Sequence, residues 1–186
     1  MSAEERYDIQ KILQDMRAEY WQGLEEEVVE QADSSNEMLL FHAGPQRFAL
    51  DARHCREIIK VPKIIRVPRL PSHFRGIINL RGEILAVTDL RPLFDLPNEE
   101  PGATARLVVV ENAGRKTAIL ATAVDGLEPI ATDAIEEVAR GVGENKREFL
   151  SGKVVLPEGI MLVLNVGGLL GSSTMNVAQK EEQSLG

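Results

Sequence analysis

Apolar residues recur along this chain in two different periods. Ile9, Leu13, Met16, Tyr20, Leu24 and Val28 fall three or four positions apart, the spacing of one helix face. Ser2 with Glu5 three residues on has the capping-box pattern, so a helix is expected over 2–31, with 31–37 (QADSSNE) as a linker. From Met38 the pattern changes to short apolar runs separated by turn residues. Residues 38–41 and 48–50 flank Gly44-Pro45 as a hairpin, and 55–60 carries the strand-like Glu57-Ile58-Ile59. Pro62, Pro68 and Pro71 then argue against a central strand. Residues 74–94, FRGIINLRGEILAVTDLRPLF, are expected to form strand, turn, strand and a short helix. Arg81-Gly82 supplies the turn, since glycine takes a positive φ without steric cost. Ile84, Leu85, Ala86 and Val87 are near-continuously apolar, which predicts a strand buried on both faces. Asp89 and Pro92 favour the start of a helical turn.

The second half repeats this grammar. After a turn-rich joint at 97–102, strands are expected at 106–111 and 116–124, with turns at 112–114 and 125–126. Residues 127–140 fit either an extended segment or a helical turn capped by Thr132. After a polar loop at 141–147, 149–156 and 159–166 form a further hairpin around Pro157-Glu158. Phe74-Arg75-Gly76, its hairpin and Thr88-Asp89-Leu90 are echoed about 75 residues later by Leu150-Ser151-Gly152, a hairpin and Asn165-Val166. Residues 38–50 and 106–124 echo one another in the same way. The expectation is a mainly β fold of two small barrels with an N-terminal helical extension. In domain terms, 1–37 is helix and linker, 38–171 is the barrel domain (halves near 38–97 and 98–171), and 172–186 is a disordered tail.

Composition narrows the function classes. The chain has 186 residues, 44% hydrophobic but only 4% aromatic, so Val, Ile and Leu must build the core. No apolar run approaches the ~18 residues of a membrane span, and the acidic MSAEERYD start has no signal-peptide core. One cysteine excludes an intrachain disulfide. These features point to a cytoplasmic protein without direct membrane insertion. The net charge of −8 is uneven. Residues 1–37 hold 11 acids and 3 bases, 38–97 hold 5 acids and 10 bases, and 98–186 hold 13 acids and 8 bases. Such asymmetry can steer charged partners, though it also fits an ordinary mixed surface. Scattered bases in an acidic chain argue against nucleic acid.

Candidate chemistry is sparse. His42, His54 and His73 have no zinc-site spacing, and adjacent His54 and Cys55 would face opposite sides of a strand. Cys55 fits a small buried residue better than a nucleophile. No GxSxG, GxxxxGK[ST] or HExxH pattern is present. No catalytic residue, metal ligand or cofactor is therefore assigned. Interaction surfaces are the stronger candidates. Asn79 and Arg81 are polar residues in or beside apolar strands; Arg81 either pairs with Glu57 or stands exposed in its turn.

The segment GIINLRGEILAVTDLRPLF resembles the central signature of the CheW family, including Gly76, Asn79-Leu80-Arg81-Gly82, Asp89-Leu90-Arg91 and Phe94. The resemblance runs from about Leu39 to Leu170. It implies two interlocked five-stranded SH3-like barrels around a shared core. It implies no enzymatic activity, and an adaptor that couples the cytoplasmic tip of a chemoreceptor to the regulatory domain of a CheA-type histidine kinase. Carried over by position, Asn79, Leu80, Arg81 and Gly82 match the NLRG segment implicated in partner contact. Glu57 matches the acidic partner of that arginine, and Cys55 and Ile58 lie on its strand. Asp89 and Arg91 carry a structural role. Two features depart from the family pattern: the long N-terminal helix, and Asn165 where an aspartate-containing pattern is expected. A non-flagellar pathway serving pilus motility or development is the alternative within the class. An unrecognised small β-barrel enzyme or ligand-binding protein is the alternative outside it.

Overall fold

The computed structural model describes residues 35–139 and 142–175. The chain divides into two units, Met1–Asn36 and Glu37–Gly186. The helix expected over 2–31 lies outside the described residues, as does the tail beyond Met175.

Among the described residues ten strands follow in order: β1 (Ser35–Ala43), β2 (Gln46–Asp51), β3 (Cys55–Lys60), β4 (Phe74–Leu80), β5 (Glu83–Thr88), β6 (Arg106–Asn112), β7 (Arg115–Ala121), β8 (Ala123–Ala131), β9 (Leu150–Leu156) and β10 (Gly159–Leu164). The described residues also contain three short α-helices: α1 (Leu90–Leu93), α2 (Glu144–Arg147) and, after β10, α3 (Val166–Gly171). The strands form two five-stranded sheets, ordered β8-β1-β2-β10-β9 and β3-β6-β7-β5-β4. The echo in the sequence is a structural repeat: β1 to β5 correspond to β6 to β10. The sheets nevertheless do not follow the halves 38–97 and 98–171. The β1–β2 hairpin joins β8, β9 and β10, while β6–β7 joins β3, β4 and β5. Each half lends its first hairpin to the other, which interlocks the sheets.

That exchange explains the apolar runs. In β1, Leu39 and Phe41 face a core shared between the sheets, while Met38 and Leu40 face the interior of the first sheet. In β6, Val108 and Val110 face the shared core, and Leu107 and Val109 the interior of the second sheet. Both hairpins are buried on both faces, so polar alternation disappears. Phe41 and Phe48 sit opposite each other in the β1–β2 register and stack at 5.7 Å between centroids. Each such buried side chain contributes roughly 1.5–3 kcal/mol.

Each sheet also closes on itself. Beyond β3 the chain returns to β4, where Ile65 and Ile77 exchange two backbone bonds of 2.9 Å. Beyond β8, Glu136 and Lys153 of β9 do the same at 2.8 and 2.9 Å. Both crossings need a glycine beneath them. A Cβ on Gly76 would lie 2.2 Å from the Ile65 carbonyl oxygen, and one on Gly152 2.7 Å from that of Glu136.

The helix starts after β5 and β10 correspond as well. Asp89 caps α1 by accepting from the Arg91 N–H, and Asn165 caps α3 by accepting from the Gly168 N–H. Asparagine at the second position thus performs the capping role of aspartate.

Several expectations are corrected. Residues 35–37, expected as linker, already belong to β1. Asp125-Gly126 lies inside β8, not in a turn, and the open segment divides: residues 127–131 continue β8, while Thr132–Ala134 form a single helical turn that no side chain caps. β5 is buried on both faces only toward its end, and Ile84 is 58% exposed. The chain stays ordered past Gly171: Ser172 is buried, Met175 packs on the shared core, and the Thr174 carbonyl meets the His73 ring at 3.0 Å.

Candidate partner-binding site

The candidate site forms around the tip of the β4–β5 hairpin. Leu80 and Glu83 pair across a two-residue turn in which Arg81 and Gly82 take φ of 51° and 88°. This is the mirror-image turn that matches the strands' twist, and it favours glycine at its second position. A Cβ at Gly82 would meet nothing within 4 Å, so only the backbone angle calls for glycine there. Asn79 supports the turn by accepting the Gly82 N–H at 2.8 Å.

From this turn the Arg81 guanidinium reaches Glu57 on β3. Nη1 and Nη2 donate to the two carboxylate oxygens at 2.6 and 2.8 Å. β3 and β4 are the outer strands of one sheet, so the pair clasps opposite edges of the barrel. The bonds from Arg81 hold the Glu57 carboxyl below the usual carboxylate range. The pair is exposed on its arginine side, with Arg81 at 73%.

Behind the clasp is an open groove of about 300 Å³, lined by Arg56, Glu57, Leu80, Arg81, Glu83, Leu85, Val109, Glu111 and Lys116. Leu85 and Val109 form an apolar floor continuous with the barrel interior. The rim carries two more ion pairs. Arg56 donates to Glu111 at 2.9 Å, and Lys116 meets both Glu83 oxygens at 3.0 and 3.2 Å. Bonding to Glu83 raises the Lys116 ammonium above its ordinary value. A rim of alternating charge around an apolar floor suits recognition of a polar partner with a small apolar anchor better than catalysis.

The seven residues expected at the site are not all together. Glu57, Leu80 and Arg81 line one groove, and Asn79 and Gly82 shape its turn. Ile58, 41% exposed, is on the outward side of β3 with Arg56 and Lys60, opposite Glu57 and Ile59. Cys55 is half-buried against the shared core. Burial, with the Glu57 charge adding to it, pushes its thiol above the usual range. Sequence reasoning missed the charged rim residues Arg56, Glu83, Glu111 and Lys116. Their alternating signs were visible, but only the sheet register makes them neighbours.

Asp89 and Arg91 lie away from this groove and are buried, at 0% and 1% exposure. Asp89 accepts from the Arg91 N–H at 3.0 Å, from its guanidinium at 3.0 and 2.8 Å, and from Arg75 at 2.8 Å. Arg91 also donates to the Glu99 carbonyl at 2.5 Å. The pair organises the entry to α1. Among the described residues, no three His, Cys, Asp or Glu side chains are placed to hold a metal ion. No helix among them is long and apolar enough to cross a membrane.

Comparison with known proteins identifies the family. The family model described as the CheW-like domain matches residues 37–174. The probable chemotaxis protein CheW of Rhizobium etli is 22% identical over 142 residues, 76% of this chain and 92% of that one. The chemotaxis protein CheW of Rhizobium meliloti is 25% identical, over 71% of this chain and 84% of that one. Protein FrzA of Myxococcus xanthus is 28% identical, over 67% and 77%. The crystal structure of the scaffolding protein TtCheW from Thermoanaerobacter tengcongensis shares the fold at a TM-score of 0.69 and 23% identity, covering 78% of this chain and 93% of that one. With a family match over residues 37–174, and with the two interlocked sheets to accompany it, the chain belongs to the CheW family of chemotaxis adaptor proteins.

Proposed function

We propose that this protein is a non-enzymatic cytoplasmic adaptor that couples the cytoplasmic tip of a chemoreceptor to the regulatory domain of a CheA-type histidine kinase. The observation that carries the reading is the family match from residue 37 to residue 174. The groove around the Glu57–Arg81 clasp supports placing partner contact there. In this reading Glu57, Leu80 and Arg81 form the contact, Asn79 and Gly82 hold its shape, and Ile58 extends it onto the outer face of β3. Cys55 supports the strand from behind. Exposed ion pairs add little affinity individually but select orientation and partner. Coupling then rests on several modest contacts made at once, with array geometry supplying the avidity. No cofactor, nucleic acid or membrane insertion enters this role.

The similarity to FrzA, a relative not named CheW, favours carrying a second reading in which the pathway is non-flagellar and serves pilus motility or development. The physical role is the same. The test is a pull-down of the full chain with the CheA-type kinase of its own genome, with and without a receptor cytoplasmic fragment. A ternary complex with raised kinase autophosphorylation is expected. A folded protein that binds neither partner overturns the reading.

A further inference from the structure

The lysines and arginines of the described residues fall into three groups. Arg47, Arg53, Arg56, Arg75, Arg81, Arg91, Lys116, Lys146 and Lys153 are in ion pairs. Arg106, Arg115 and Arg147 donate to backbone carbonyls. Only Lys60, Lys63, Arg66 and Arg69 have no partner among the described residues, and all four are exposed. They follow one another along a single segment, three residues apart. No Asp or Glu occurs between Glu57 and Glu83, in a chain of net charge −8.

The same segment carries an open backbone edge. Ile65 bonds β4 through its N–H and carbonyl, and Ile64 turns its side chain toward the barrel interior. In an extended chain the backbone groups on either side of Ile65 point away from β4. Ile65 and Val67 are 54% and 38% exposed beside the unpartnered cations. Pro62 and Pro68 bracket this edge and limit it to residues 63–67, which restrains uncontrolled strand pairing.

We propose that residues 63–67 are a docking edge for an extended acidic segment of a partner protein, added as a short strand with its carboxylates on Lys60, Lys63, Arg66 and Arg69. Strand addition gives main-chain bonds, and Ile65 and Val67 give alternate side chains of the guest an apolar seat. An open peptide edge matches a polypeptide. Single-stranded nucleic acid is typically held by aromatic side chains that stack on its bases, and 60–69 contains none. The edge is separate from the groove at Glu57 and Arg81, so it stands or falls independently of the receptor–kinase pull-down.

The test is fluorescence anisotropy of a short labelled peptide of alternating glutamate and valine, titrated with the full chain. Saturable binding is expected, weakening as salt rises. The double variant K63E/R66E should lose at least about tenfold in affinity, while R81A should leave affinity unchanged. Both replaced cations are exposed, and a thermal melt of the variant checks that it is folded. Equal binding by the double variant overturns the proposal. So does equal binding of a serine–valine peptide, an oligo-dT strand or phosphatidylglycerol vesicles, and so does the absence of any binding.

Discussion

Glu57 and Arg81 are 24 residues apart in sequence, yet they meet in a two-bond carboxylate–guanidinium pair that joins the outer strands of one barrel. Both side chains also line the groove. The clasp is thus part of the surface offered to a partner as well as a closure of the sheet. Because it is exposed and screened, its contribution to folding is small. Arg81→Ala should therefore leave a cooperatively folded protein that melts within a few degrees of the parent, while receptor–kinase coupling falls. Global unfolding of the variant would show instead that the clasp holds the barrel together.

The Asp89–Arg91 pair is expected to behave in the opposite way. Both side chains are buried, so removing one partner strands the other; Asp89→Asn should cost about 3–5 kcal/mol. Burial by itself pushes the Asp89 carboxyl up. The bonds from Arg91 and Arg75 outweigh it and hold the carboxyl below its ordinary range. A depressed folded value means that the stabilisation is complete above the unfolded value near ~4 and is lost as pH falls through the lower folded one. Chemical denaturation at a series of pH values checks this. The parent should lose more stability than Asp89→Asn on going below about pH 4.

Gly76→Ala and Gly152→Ala test the barrel closures. Each new Cβ would press on a backbone oxygen of the crossing segment, and at Gly76 the φ of 140° adds strain. The strain at Gly76 is about 1–3 kcal/mol by itself. Faster amide exchange at Ile65 and Ile77 should accompany Gly76→Ala, and at Glu136 and Lys153 Gly152→Ala. Gly82→Ala meets open space and should cost only the left-handed backbone strain, about 1–2 kcal/mol.

Cys55 should be a slow thiol. Half-buried, with Glu57 nearby, it is held above the usual range, so less thiolate is present at neutral pH. The pH–rate profile for alkylation of the folded protein should have its midpoint above the ~8.5 of a free thiol. Glu57→Gln should lower that midpoint only part of the way, since burial is the larger cause.

Deleting residues 1–34 should leave the β unit intact, because its buried residues begin at Met38. A cooperative melt far below that of the full chain would mean that the leader belongs to the core.

Much of this architecture is local and so was legible in the chain. The turn at Arg81-Gly82, the capping residues Asp89 and Asn165, and the hairpins at 38–50, 74–88 and 150–164 depend on neighbours a few positions away. The repeat was legible because both halves use the same local grammar. Glu57 and Arg81 could be named as partners, but either an ion pair or an exposed arginine satisfied the sequence. What only the tertiary structure decided was which strands lie side by side. An apolar run such as Leu107 to Val110 says that a strand is covered on both faces, not by what. Exchange of the β1–β2 and β6–β7 hairpins, and the meeting of Glu83 with Lys116, depend on packing between distant segments. Ile84 shows the same limit from the other side. It sits in an apolar run, yet stands exposed because it alternates with Leu85 and Val87, which enter the barrel interior, and so faces outward.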